Sequence, residues 1–103
     1  MKISEFQSLM RELYFHQDSK RGLEKTFIWL VEEVGELART LKEEKNLDLI
    51  KVSEEMADII AWICSLSNLL DVDLERALIE KYPKKCIKCD STPCQCSNQS
   101  RKA

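Results

Sequence analysis

The 103-residue chain has two glycines, two prolines and one histidine, and both prolines, Pro83 and Pro93, fall near its end. Almost nothing in the first 82 residues would interrupt a helix, so the composition implies an all-α body. A basic excess is also missing. Lys and Arg number 16 against 18 Asp and Glu, for a net charge of −2 and a pI near 5.5. Such a chain has no surplus of cations to displace counterions from a phosphate backbone, which excludes a DNA or RNA polymer as partner. Long apolar runs are absent too. The first stretch, MKISEFQSLMREL, breaks its apolar positions with charges every few residues. It therefore reads as neither a signal peptide nor a membrane span, and a cytoplasmic protein with reduced thiols is expected. The length suits one domain of moderate core and is too short for two.

What is present is helical periodicity. Ser4 followed by Gln7 has the spacing of a capping box, and Phe6, Leu9, Met10, Leu13 and Tyr14 recur at helical intervals, predicting a first helix over 4–17. HQDSKRG (16–22) is polar, ends in glycine and reads as an exposed connection. Leu23, Phe27, Leu30, Val34, Leu37 and Leu41 form one stripe of a second helix to about Glu44, a rod of roughly 33 Å at 1.5 Å per residue. After EEKNLD, a third helix over 48–70 is marked by Val52, Met56, Ile59, Ile60, Ile63, Leu66 and Leu70. Asp73 is a candidate N-cap for a short fourth helix, with Val72 and Ala77 as its staple, that runs to Tyr82 and stops at Pro83. This is a four-helix bundle whose two long helices run antiparallel. Because the long pair outreaches the short pair, apolar surface is left over and an oligomer, dimer or tetramer, is expected. His16, alone near the end of the first helix, receives no role.

Acids flank both long stripes. At 100° per residue, Trp29, Glu33, Glu36 and Thr40 border the stripe of the second helix, while Glu55, Asp58 and Trp62 border that of the third. Packed antiparallel, the two i, i+3 pairs Glu33/Glu36 and Glu55/Asp58 converge into four carboxylates that demand cations. Hard divalent ions with oxygen ligands, Mg²⁺ above all, meet that demand and bridge to substrate phosphates. Spacing alone is equally compatible with solvated acids supported by neighbours such as Arg39 and Lys51. Two details favour function: Glu32/Glu36 and Glu54/Asp58 are like-charged i, i+4 pairs that weaken a helix. Each acidic row also carries a tryptophan on which a base could stack, although core or interface packing would use the same residues.

EEVGE (32–36), followed after 18 residues by EMAD (55–58), resembles the E-E-x-x-E … E-x-x-D signature of MazG-like nucleotide pyrophosphohydrolases, and the likeness extends from about Phe6 through Tyr82. The resemblance implies an oligomeric all-α fold that cleaves a nucleoside triphosphate between its α- and β-phosphates, giving monophosphate and pyrophosphate. It further implies Glu33, Glu36, Glu55 and Asp58 as ligands of Mg²⁺ or Mn²⁺, with Glu32 positioning or deprotonating the attacking water. Arg21 and Lys25 are candidates for the phosphates and Trp29 and Trp62 for the base, with Lys81 a weaker candidate best read as a solvated cation. The chain departs from many relatives by running from ALIEK straight into YPKKC, without the Lys and Asn that help hold substrate there.

CIKCDSTPCQC places Cys86, Cys89, Cys94 and Cys96 in a C-x2-C-x4-C-x-C pattern within a segment too short to form a core. Under reducing conditions, four such thiols suggest a tetrahedral structural Zn²⁺, with Lys84, Lys85 and Lys88 easing the thiolate charge. A tail with free thiols or disulfides formed under oxidant is the other reading. Cys64, among apolar neighbours, reads as core. The expected organisation is an NTP pyrophosphohydrolase domain over 1–83, a zinc-binding four-cysteine tail over 84–96 and a disordered terminus over 97–103. The function expected is Mg²⁺-dependent hydrolysis of (d)NTPs for nucleotide-pool clean-up. The alternative is a non-catalytic helical dimer that acts as an adaptor through its zinc tail.

Overall fold

A computed structural model describes residues 1–42 and 44–97. Four α-helices, α1 (Ile3–Arg21), α2 (Leu23–Leu41), α3 (Leu49–Leu70) and α4 (Leu74–Lys81), with a 3-10 turn at Glu44–Asn46, make an all-α body, and no strand occurs among the described residues. Of the polar terminus expected at 97–103, all but Ser97 lies outside the described residues.

The first helix corrects the expected one at both ends. Lys2 is the N-cap, and its backbone N–H donates to Glu5 Oε1 at 2.9 Å, so Ser4 already lies inside the helix. Gln7 does not cap; it joins three helices instead. Its Nε2 donates to Asn68 Oδ1 at 3.1 Å and to the Val72 carbonyl at 2.7 Å, and its Oε1 accepts from the Leu74 N–H at 3.1 Å. Asn68, buried, donates from Nδ2 to the Gln7 carbonyl at 3.1 Å, and Glu75 Oε1 accepts from the Ser4 N–H at 3.2 Å. These bonds fasten α1 to the α3–α4 corner. At the other end, HQDSK continues α1 rather than forming a connection, and the joint to α2 is Gly22 alone, at φ +88°. That left-handed value is open to glycine and strained for most other residues.

Both remaining caps follow from short acidic side chains. Asp48 accepts from the N–H groups of Ile50 and Lys51, and Asp73 from that of Arg76, satisfying donors that an uncapped helix leaves unpaired. α2 ends at Leu41, short of the expected Glu44.

Packing departs from the expected apolar stripes. α1 and α2 both rest chiefly on α3, and the buried positions of α3 are Val52, Cys64, Ser65, Ser67 and Asn68. The C-terminal half of α3 therefore buries its small and polar side, while Met56, Ile60 and Leu70 stay exposed. Likewise Thr26 is the buried residue of α2, and Leu23, Phe27, Val31, Val34 and Leu41 are exposed. Helical phase explains this: Trp29 and Glu33 lie on the flank of α2 turned to α3, so Phe27, Val31 and Val34 face outward while Leu30 and Leu37 are half-buried.

Candidate metal and nucleotide site

The flank orientation of α2 brings the acids into the seam with α3. Carboxylate oxygens of Glu33, Glu55 and Asp58 all lie within 4.8 Å of one another. Of the four carboxylates expected to converge, three do. Glu36 turns to the surface, where its Oε1 accepts from Arg39 Nη2 at 2.7 Å. Glu32, one residue before the cluster, is exposed. Desolvation raises the Glu33 carboxyl above the ordinary range, with further contributions from its hydrogen bond to Glu55 and the charges of Asp58, Glu55 and Glu36. Like charges this close cannot all ionise comfortably without a cation. The donor set is oxygen only, from carboxylates on two rigid helices, which fits a hard divalent ion.

Asp58 also forms part of the wall of a cavity of about 520 Å³, in the size range of small-molecule sites. Trp29 and Trp62 line it, their rings edge to face with centroids 5.6 Å apart. Arg21 stacks on both, its guanidinium carbon 4.5 Å from the Trp29 ring and 4.9 Å from that of Trp62. Its Nη1 donates to Asp18 Oδ1 at 2.9 Å and to Thr26 Oγ1 at 3.1 Å. Arg21 is thus built into the aromatic wall, whereas Lys25 is exposed with Nζ 5.8 Å from the Trp29 ring.

Sequence reasoning missed Asp18, Thr26 and Gln17. The first two are buried and polar, and with HQDSK read as an exposed connection, Asp18 gave no signal. The i, i+3 spacing of Asp18 and Arg21 was the available clue, and it becomes informative only if α1 runs to Arg21.

A second cluster lies in the tail. The sulfurs of Cys86, Cys89, Cys94 and Cys96 lie within 4.8 Å of one another, with Cys86 and Cys96 3.8 Å apart and Cys89 and Cys94 4.0 Å apart. These are far longer than a disulfide of about 2.05 Å, and all five cysteines are free. A metal with bonds of about 2.3 Å to tetrahedral thiolates sets S···S edges of about 3.8 Å, so the spacing fits a metal ion. Backbone N–H groups point at the sulfurs: Gln95 N to Cys89 Sγ and Cys96 N to Cys94 Sγ, both 3.2 Å. The Gln95 bond is the main cause that pulls the Cys89 thiol down to about 6. Backbone N–H groups of Cys89 and Lys88 lower Cys86 as well. Cys96, which hydrogen-bonds to Cys94 and Cys89, is pushed up to about 12. Cys64, by contrast, is fully buried on α3, and burial pushes its thiol up.

No described helix is long and apolar enough to cross a membrane. A search of curated proteins finds no match to the chain. The model of the MazG nucleotide pyrophosphohydrolase domain matches residues 21–89, a span that begins at Arg21, holds the whole acidic cluster and both tryptophans, and reaches the first two tail cysteines. Covering well over half of the 103 residues, that match shows that the chain belongs to the MazG nucleotide pyrophosphohydrolase family.

Proposed function

We propose that the chain is a Mg²⁺-dependent nucleoside triphosphate pyrophosphohydrolase, converting (d)NTP to (d)NMP and pyrophosphate and so clearing unwanted nucleotides. The observation that carries this reading is the adjacency of two features. Asp58 belongs both to the three-carboxylate cluster and to the wall of the tryptophan-lined cavity. One residue therefore joins a place for a metal-bound triphosphate to a place for its base.

In this reading Glu33, Glu55 and Asp58 hold Mg²⁺, or Mn²⁺, with Glu36 completing the set if its side chain leaves Arg39. The ion supplies charge neutralisation on the phosphates and lowers the pKa of a water. The residues do the rest. The helices fix the carboxylates so that the scissile phosphate is positioned rather than searched for. Glu32 orients the attacking water and takes its proton. Lys25 offsets triphosphate charge as a point cation, and Arg21 braces the indoles against which the base packs. A family resting on nucleotide substrates and a donor set of hard oxygens both support this assignment.

The reading also includes more than one copy of the chain, because Phe27, Val31 and Val34 of α2 and Met56 and Ile60 of α3 leave apolar surface exposed. The four tail thiols are assigned to a structural Zn²⁺ beside the enzyme body.

The test is to incubate the protein with a panel of dNTPs and NTPs plus Mg²⁺, resolving monophosphate and pyrophosphate from diphosphate and phosphate. Glu33→Gln and Asp58→Asn serve as controls. Monophosphate plus pyrophosphate is expected. Each variant should lose more than about 100-fold in rate, since even residues that only support metal ligands cost 10–100-fold. Full activity in both variants, with their helicity unchanged, would sink the metal assignment.

A further inference from the structure

Among the described residues, one buried side-chain polar atom has no hydrogen-bond partner: Asp18 Oδ2. The residue is 1% exposed. Leaving a buried acceptor unsatisfied is costly and calls for an explanation. The usual one, a mobile side chain, does not apply. Oδ1 is held by Arg21 Nη1 at 2.9 Å, and Arg21 is itself held by Thr26 Oγ1 and by both indole faces. The carboxylate is locked, and Asp18 and Asp58 both line the same cavity. Along α3 the cavity runs from Asp58 to Ser65, seven residues or about 10 Å of helix, with Trp62 between.

Resting on the proposed hydrolase reading, we propose that Asp18 reads the nucleobase: with the triphosphate at Asp58 and the base packed against the tryptophan pair, Asp18 Oδ2 accepts a hydrogen bond from an exocyclic amino group on the base edge. The chemistry narrows the substrate class. A carboxylate only accepts, so the group that meets it must donate. Cytosine N4 and adenine N6 donate from the same edge at which uracil, thymine and guanine present a carbonyl. A carbonyl there would set two acceptors face to face in a place sheltered from water. Guanine N1–H and N2–H and uracil or thymine N3–H also donate, but from neighbouring positions on the edge, so they meet Oδ2 only if the base shifts its register in the cavity. Next to the amino group, cytosine and adenine carry a ring nitrogen that accepts, and Gln17, also in the wall, supplies an amide donor for it. In that register the site favours 4-amino pyrimidine or 6-amino purine nucleotides.

The test compares kcat/KM for dCTP, dATP, dUTP and dGTP in the wild type and in Asp18→Asn. Asparagine keeps the shape and leaves Oδ1 to Arg21, but puts an N–H₂ donor where Oδ2 stood. The wild type is expected to favour dCTP or dATP over dUTP and dGTP, and the two amino bases then separate by size. In Asp18→Asn the dCTP-to-dUTP ratio should fall by about 10- to 100-fold, the scale of one hydrogen bond to a charged group. A loss of rate shared equally by all four nucleotides would mean a structural role only and overturns the proposal while leaving the hydrolase intact. So does a wild type that takes dUTP or dGTP as readily as dCTP and dATP. If Asp18→Asn does not fold, those wild-type ratios still decide. If no nucleotide is hydrolysed, the hydrolase reading fails separately, and quenching of the two tryptophans by dCMP, dAMP and dUMP reads the base preference directly. Tighter binding of an amino base supports the assignment; equal or absent binding removes it.

Discussion

The indole rings of Trp29 and Trp62 meet edge to face, 5.6 Å between centroids and 86° between planes, and bridge the two helices that carry the acids. The pair is part of the cavity wall and stacks with Arg21, so the same contact fixes the α2–α3 seam and shapes the space beside Asp58. Trp62→Ala is expected to raise KM for the preferred nucleotide about 5- to 100-fold with a smaller change in kcat, as when a base loses its stacking surface. Steady-state kinetics beside a thermal melt check it. An unchanged KM in a folded variant would move the base elsewhere.

The crowding of Glu33 gives a pH dependence with a definite sign. Its carboxyl is raised above the ordinary range in the folded chain, chiefly by desolvation, so without metal the folded state binds more protons than the unfolded one. The stability this confers is full below the ordinary Glu value of about 4.3 and is lost as pH rises through the raised value. Metal-free Glu33→Gln should therefore gain stability over the wild type as pH goes from 5 to 7.5. Mg²⁺ needs the carboxylates ionised and should raise the wild-type Tm more at pH 7.5 than at pH 5. Melts in chelator and in Mg²⁺ at both pH values check this. A Glu33→Gln variant less stable than the wild type at pH 7.5 without metal contradicts it.

Local signals were legible in the sequence and relative orientation was not. The acidic motif placed Glu33, Glu55 and Asp58, the EEKNLD break preceded α3, and the cap Asp73 marked the start of α4. The C-x2-C-x4-C-x-C pattern placed four sulfurs together. The end of α1 was missed because HQDSK is polar, and polar residues are as much at home on a helix as in a loop. Its placement depends on Asp18 pairing with Arg21 and on Gly22 making the joint. The buried faces were missed for a different reason. Periodicity finds the apolar face of a helix but not which neighbour that face meets. α3 meets α1 through Asn68, and α2 meets α3 through Trp29 and Glu33, which leaves Phe27, Val31 and Val34 of α2 and Met56 and Ile60 of α3 exposed.

That freed surface leads to an expected assembly. Phe27, Val31 and Val34 are each about half exposed (54%, 51% and 48%) on one face of α2, an apolar strip of the kind that soluble monomers rarely show. Sedimentation of the wild type should give a multiple of its 12.0 kDa chain mass. Phe27→Glu keeps helix propensity but sets a charge in the strip, and should drop the mass to that of a single chain at micromolar concentration. A wild type that sediments as a monomer would remove the oligomer from the proposal.

The tail offers a test that does not depend on activity. Four sulfurs within 4.8 Å of one another, two of them receiving backbone N–H bonds, have a spacing that fits a cation. Protein prepared under reducing conditions should carry one zinc per chain. Exchange for Co²⁺ should give the visible d–d bands of a tetrahedral tetrathiolate. Cys86→Ser or Cys89→Ser should lose the metal, while Cys64→Ser, in the α3 core, keeps it. Reactivity provides an independent measure, because Cys89, pulled down to about 6, is largely thiolate at pH 7.5 whereas burial raises Cys64. In metal-free protein Cys89 should be alkylated well before Cys64, and added Zn²⁺ should suppress that reaction by occupying the thiolate. Alkylation of Cys89 at the same rate with and without Zn²⁺, in a protein that retains no metal, would leave the four thiols as an unliganded tail.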